Sequence, residues 1–222
     1  NMKNKKIGVL ICAYNEEKHV RKVVDNCLKK TKRVIVVNDG SKDNTLRELK
    51  KTKAKIIDLK ENQGKGVALK RGFEYGWKEK YDYFILLDAD GQHDPKEIPN
   101  FIEAINQGYD LIIGSRTKRH SDMPYFRRFS NFLSSSLLSI RKKTWIKDTQ
   151  SGYRALNLNL LKKIELRRKR YDLESEILIK MIKKGARLKN LKIKTIYGEE
   201  TSTIHPIKDT YRFFRTLFMS SK

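Results

Sequence analysis

Over residues 1–115 the chain repeats one pattern: a short apolar, β-branched run, a polar turn, then a segment whose apolar residues recur at helical spacing. Strands are expected at Ile7–Ala13, Arg33–Asn38, Ala54–Leu59, Tyr83–Asp88 and Tyr109–Gly114, and helices at Glu16–Lys30, Asp43–Lys51, Gly66–Lys80 and Pro95–Gln107. Such runs suit strands covered on both faces, and strand–helix repeats bury them as a mainly parallel central sheet with flanking helices. The fold class is therefore α/β. In open sheets of this kind ligands bind beyond the carboxyl ends of the strands. The polar motifs fall there: Asn15 and Glu16 after the first strand, Asp39-Gly40-Ser41 after the second, and Asp88-Ala89-Asp90 after the fourth.

The second half is less regular. Residues 116–124, with Pro124, read as a loop. Tyr125–Ile140 carries Phe126, Phe129, Leu133, Leu137 and Ile140 at helical spacing, with Arg127 and Arg128 near its start. Asp172–Lys184 reads as a helix, Leu188–Tyr197 as a strand pair or long strand, and Asp209–Met219 as a final helix. With no internal repeat or low-complexity linker, a single domain over 1–222 is expected.

Charge divides the two halves. The 50 basic and 26 acidic side chains leave +24 overall, which calls for an anionic partner: nucleic acid, a phosphorylated substrate or an acidic membrane surface. Residues 1–115 hold 23 basic and 17 acidic side chains and residues 116–222 hold 27 and 9, so the anion-facing surface belongs mainly to the second half. A hydrophobic content of 38% excludes a disordered chain. Cys12 and Cys27, with no second pair, read as reduced core residues rather than a zinc site or disulfide framework. The start lacks the apolar stretch of a signal peptide, and no window approaches a spanning helix, so membrane contact is expected to be peripheral.

Three motifs admit chemistry. Asp88 and Asp90 lie two apart at a strand end, where period-two alternation turns both carboxylates to one side; they read as a divalent-ion site or as a solvated acidic turn. Asp39-Gly40-Ser41 reads as an acceptor for a nucleotide base or ribose, or as a tight turn with a helix cap. Asn62-Gln63-Gly64-Lys65-Gly66 suits close approach to an anion or simply starts a helix, and its glycine spacing is not that of a Walker loop.

Their order is more specific than any one of them. Ala13-Tyr14-Asn15-Glu16, Asn38-Asp39-Gly40-Ser41, Asn62 through Gly72, Asp88-Ala89-Asp90-Gly91-Gln92-His93, Gly114-Ser115-Arg116 and Asp148 through Arg154 together resemble the family-two glycosyltransferases, above all the polyprenyl-phosphate group typified by dolichyl-phosphate mannosyltransferase. The resemblance covers about residues 6–205. It implies a GT-A fold, a nucleotide-sugar donor linked to UDP or GDP, a divalent metal (Mg2+ or Mn2+), and inversion at the anomeric carbon. By position, Tyr14, Glu16, Asp39 and Lys65 match the nucleotide pocket. Asp88, Asp90 and Gln92 match the metal and diphosphate motif. Arg116, Arg127 and Arg128 fall where an acceptor phosphate is held, while Arg154 reads as another acceptor contact or as a structural ion-pair partner. His93 reads as a neighbour of the acidic motif or as a cap. The chain departs from the pattern twice: Asn38 replaces the first residue of the frequent Asp-Asp-Gly-Ser, and Tyr197-Gly198-Glu199-Glu200 replaces the late arginine and Gly-x-Ser-Lys of mannosyltransferases.

The expected reaction moves a hexose from the nucleotide sugar to a polyprenyl (dolichyl) phosphate, with residues 6–115 binding the donor and 116–222 facing acceptor and membrane. A phosphate monoester is already largely dianionic at neutral pH, so transfer to it needs no strong base. The enzyme is placed at the cytoplasmic face, peripheral on an anionic membrane, through the helices at Tyr125–Ile140 and Asp209–Met219. An alternative keeps the family but gives it a sugar-hydroxyl acceptor, with Asp148, Glu174 or Glu176 as base. A remoter one, a nucleic-acid-binding protein, conflicts with acidic residues at the organised strand ends, so no specific nucleic-acid partner is expected.

Overall fold

The computed structural model describes residues 5–116, 148, 151–167 and 172–194. In chain order these form β1 (Ile7–Ala13), α1 (Val20–Leu28), β2 (Val34–Asn38), α2 (Thr45–Lys50), β3 (Lys55–Asp58), α3 (Lys65–Lys78), β4 (Tyr83–Asp88), a 3₁₀ turn (Pro95–Glu97), α4 (Ile98–Asn106), β5 (Leu111–Arg116), β6 (Arg154–Asn157), α5 (Leu158–Leu161), α6 (Asp172–Lys183) and β7 (Leu188–Ile193). The strands make one sheet in the order β3-β2-β1-β4-β6-β5-β7. All pairings are parallel except those of β6, which runs antiparallel to both β4 and β5.

Alternation along each strand supplies two cores. Leu10, Leu86 and Ile113 point to the face covered by α3, α5 and α6, where Phe73, Leu161 and Ile177 are buried. Val9, Ile11 and Ile85 point to the opposite face, where Val24, Leu49 and Phe101 of α1, α2 and α4 close over them. The sheet order reverses direction between β2-β1 and β1-β4, so the carboxyl ends of β1 and β4 flank the topological switch point. In-register pairing there aligns Cys12 with Asp88, Ala13 with Asn38, and Asn38 with Asp58.

The five expected strands and the helices between them are present, with two instructive differences. The first helix begins at Val20 rather than Glu16, because the Glu16 and Glu17 N–H groups donate to Thr45 Oγ1 (2.7 Å) and Asp43 Oδ2 (3.1 Å) across the neighbouring turn. The second is β6, which the sequence pattern did not announce: Ala155 and Leu156 are its only apolar residues, too few to set a period. The expected helices at Tyr125–Ile140 and Asp209–Met219 lie outside the described residues, as do the last residues of the strand expected over Leu188–Tyr197.

Candidate active site

At the ends of β1 to β3 the site is built by side chains that hold loops. Asn15 takes a left-handed backbone (φ 55°), a conformation its short amide tolerates, and its Oδ1 accepts from Lys42 N–H at 2.9 Å. Gly40 is required: its φ is 63°, and a Cβ there would lie 2.2 Å from the Glu61 carbonyl carbon. That close approach lets Asp39, 3% exposed, accept from Gln63 N–H (2.9 Å) and Gly64 N–H (2.8 Å), one per carboxylate oxygen. Asp39 thus clamps the loop that launches α3 and aims Lys65. Tyr14 stands exposed beside this loop system and Glu16 is half-buried.

The departure at Asn38 has a local cause. Its Nδ2 donates to Asp58 Oδ1 (2.7 Å) and its Oδ1 accepts from Ser41 Oγ (2.5 Å). A carboxylate at position 38 would face another carboxylate. Asn38→Asp is therefore expected to cost about 1–3 kcal/mol in urea denaturation, and Asp58→Asn in the same chain to restore most of it by reversing the pair. Additive losses in the double variant would refute this account.

The carboxylates lie on the other side of the switch point. Asp88 Oδ1 meets Lys65 Nζ at 2.5 Å, and the same ammonium reaches Glu174 Oε1 of α6 at 3.1 Å. The Asp88 N–H donates to His93 Nδ1 (3.1 Å), so the imidazole supports the strand end through its unprotonated nitrogen. His93 lies against Tyr153 (centroids 5.0 Å), which stacks on Phe101 (4.5 Å) and donates its hydroxyl to Asp94 O. Gly152 closes over Asp88: a Cβ there would sit 2.6 Å from Asp88 Oδ2. Asp90 Oδ1 accepts from Gln92 N–H (2.9 Å), fixing the turn that carries Gln92.

Burial raises the Asp88 carboxyl, but Lys65, helped by Arg154, outweighs it and holds it at about 2. Ordinarily such a carboxyl titrates near 3.8. The stability Asp88 contributes is hence complete above that value and lost as pH falls through about 2. Asp90 is displaced upward by burial and by the charge of Asp88. For Lys65, burial favours the neutral amine, yet Asp88 and Glu174 overcome it and keep the group charged.

Two carboxylates and an amide at a strand end form the hard oxygen donor set that magnesium and manganese favour. Among the described residues no three His, Cys, Asp or Glu side chains converge into a closed cage. Were an ion held here, Asp88, Asp90 and Gln92 would supply only part of its shell, and diphosphate oxygens and water would complete it.

The structure brings Lys65, Asp88, Asp90 and Gln92 to one end of the sheet. Arg116 ends β5, and Arg127 and Arg128 lie outside the described residues. Arg154 is 2% exposed; its Nε donates to Ser151 O (2.6 Å) and its Nη1 to Glu174 O (2.8 Å), tying the loop over Asp88 to the first turn of α6. Sequence reasoning underrated Glu174, whose partner Lys65 is far away in the chain. Cys12 packs against the core, as expected, and strand register also sets it level with Asp88 and near Lys65.

The doubly covered mixed sheet, with carboxylates at its switch point, has the GT-A architecture of nucleotide-sugar glycosyltransferases. Residues 8–165 match the profile described as glycosyl transferase family 2, and the chain belongs to that family. It is 34% identical to UDP-N-acetylglucosamine–dolichyl-phosphate N-acetylglucosaminyltransferase of Methanococcus voltae, covering 89% of this chain and 88% of that protein. It is 32% identical to dolichol-phosphate mannosyltransferase of Pyrococcus furiosus, over 79% of this chain and 53% of that one. Its fold matches glucosyl-3-phosphoglycerate synthase from Mycobacterium tuberculosis, solved with Mn2+, UDP-glucose and phosphoglyceric acid: TM-score 0.79 at 18% identity, over 97% of this chain and 79% of that one.

Proposed function

We propose that this glycosyltransferase transfers a hexose, with inversion, from a UDP- or GDP-linked sugar to a polyprenyl (dolichyl) phosphate, using Mg2+ or Mn2+ held by Asp88, Asp90 and Gln92. The observation that carries the reading is the 34% identity, over nearly the whole length of both proteins, to an enzyme named for a UDP-sugar donor and a dolichyl-phosphate acceptor. When bound, the ion would offset the charge gathering on the departing diphosphate.

The remaining work falls to the chain. Asp39 holds the Gln63–Gly64 turn beside the nucleotide, and Tyr14 and Glu16 line the same side. Arg116, Arg127 and Arg128 hold the acceptor phosphate, one of whose oxygens forms the new bond to the anomeric carbon as the bond to the diphosphate breaks, the nucleoside diphosphate leaving with the electron pair. Arg154, buried and spent on two carbonyls, positions the Ser151–Tyr153 loop rather than touching the lipid. The sugar-hydroxyl alternative needs a base; of its three candidates Glu174 pairs with Lys65, Glu176 with Arg167 N–H and Lys180, and Asp148 is buried.

Residues 6–115 form the donor half and 116–222 the acceptor half, the latter resting on the cytoplasmic face of an anionic membrane. No helix among the described residues is long and apolar enough to cross a membrane, and the +18 of the second half supplies the attraction. The test is transfer from UDP- and GDP-sugars to a short polyprenyl phosphate and to the same lipid as a free alcohol. Only the phosphate is expected to react, and neutralising Arg116, Arg127 or Arg128 singly should cost about ten- to a hundredfold in acceptor use. Equal use of the alcohol would sink the reading.

A further inference from the structure

Lys65 enters α3 immediately after the turn that Asp39 clamps, so its direction is fixed by the backbone behind it. Its ammonium lies on Asp88 Oδ1 and is shared with Glu174 Oε1. The other carboxylate oxygen of Asp88, Oδ2, faces the Gly152 backbone, where a Cβ would not fit, and His93 Nδ1 stands 3.9 Å away. Lys65 thus holds one of the two oxygens that Asp88 could offer an ion. A divalent ion ligated by Asp88 must meet this ammonium, and two cations at one carboxylate repel.

We propose that Lys65, steadied by Glu174, is a built-in competitor of the divalent ion at Asp88, and that the donor's diphosphate relieves the competition by drawing the ammonium onto its own oxygens. The inference rests on the reading of Asp88 as a metal ligand given above. A lysine suits the exchange because its ammonium is a compact point charge on a flexible stem, able to pass from carboxylate to phosphate without the fixed fork of an arginine. Glu174 makes the resting position selective, since one ammonium there answers two carboxylates. The protein alone then binds the ion weakly, and nucleotide and ion bind together. This couples metal capture to the presence of donor.

The test is direct Mn2+ binding, read from the electron paramagnetic resonance signal of the free ion, on the full chain and on Lys65→Met, Lys65→Gln and Asp88→Asn, each alone, with UDP and with GDP. Thermal melting verifies folding, and Lys65→Gln keeps a hydrogen-bond donor for Asp88 should the methionine variant fail to fold. Both Lys65 variants are expected to bind Mn2+ about tenfold tighter than the unaltered chain without nucleotide, and the gain produced by nucleotide should shrink. Unchanged Mn2+ affinity in folded Lys65 variants, with Asp88→Asn losing the ion, overturns the competition and leaves the metal reading standing. Mn2+ affinity of the unaltered chain that neither UDP nor GDP changes also overturns it. Binding that survives Asp88→Asn with nucleotide present removes the metal reading itself, and the proposal with it.

Discussion

Replacing Asp88 by Asn is expected to lower glycosyl transfer about a thousandfold while the chain still folds. The carboxylate stands at the carboxyl end of a central strand, and its loss removes the negative charge that β4 itself presents at the switch point. An amide in its place keeps the volume under Gly152 but lacks the charge that attracts an ion. Folding survives because Asp88 belongs to neither hydrophobic cluster and Lys65 retains Glu174 as a partner. Excess chelator on the unaltered enzyme should reproduce the loss, and added Mn2+ should reverse it there but not in the variant. Steady-state transfer from a radiolabelled nucleotide sugar measures both. Retention of even a tenth of the activity by Asp88→Asn would show that the carboxylate is dispensable.

How much of this was legible in the sequence depended on whether a residue's partners were local. Strands such as Ile7–Ala13 and Tyr83–Asp88 were readable to the residue because a run of apolar side chains ended by a polar turn is a local signal. The place of Asp88 at a strand end was readable for the same reason, whereas Asp90 falls in the turn beyond β4, where strand alternation no longer sets its direction. By contrast, Asp39 looked like a free acceptor, and only the fold shows its two oxygens answering N–H groups 24 and 25 residues away. Asn38 stood out only as a departure from the frequent Asp-Asp-Gly-Ser, yet it matches Asp58, brought alongside by strand register. Glu174 could not be linked to Lys65 by any periodicity, because that contact depends on α3 and α6 covering one face of the same sheet. Pairings of this kind are properties of topology, and no window of sequence contains them.

Arg154 carries the largest expected effect on stability, and it also decides between the two roles its sequence position allowed. The side chain is among the largest fully buried ones, and its guanidinium spans from the Ser151 carbonyl to that of Glu174. Substitution by Met fills part of the space but strands both carbonyls and removes a positive charge that helps hold Asp88 ionised. Breaking a buried charged network from one side costs about 3–5 kcal/mol, a large fraction of what holds a domain together. Arg154→Met should therefore show a lower urea midpoint, and Arg154→Lys should recover only part of it, since one ammonium cannot reproduce the reach and planarity of the fork. Nucleotide binding should weaken with stability, because Gly152 over Asp88 and Glu174 beside Lys65 both lose their anchor. Had Arg154 instead held the acceptor phosphate, the methionine variant would melt like the unaltered chain, bind nucleotide normally and differ only in its KM for the lipid. That pattern would return Arg154 to the acceptor site and require the buried guanidinium to open toward it.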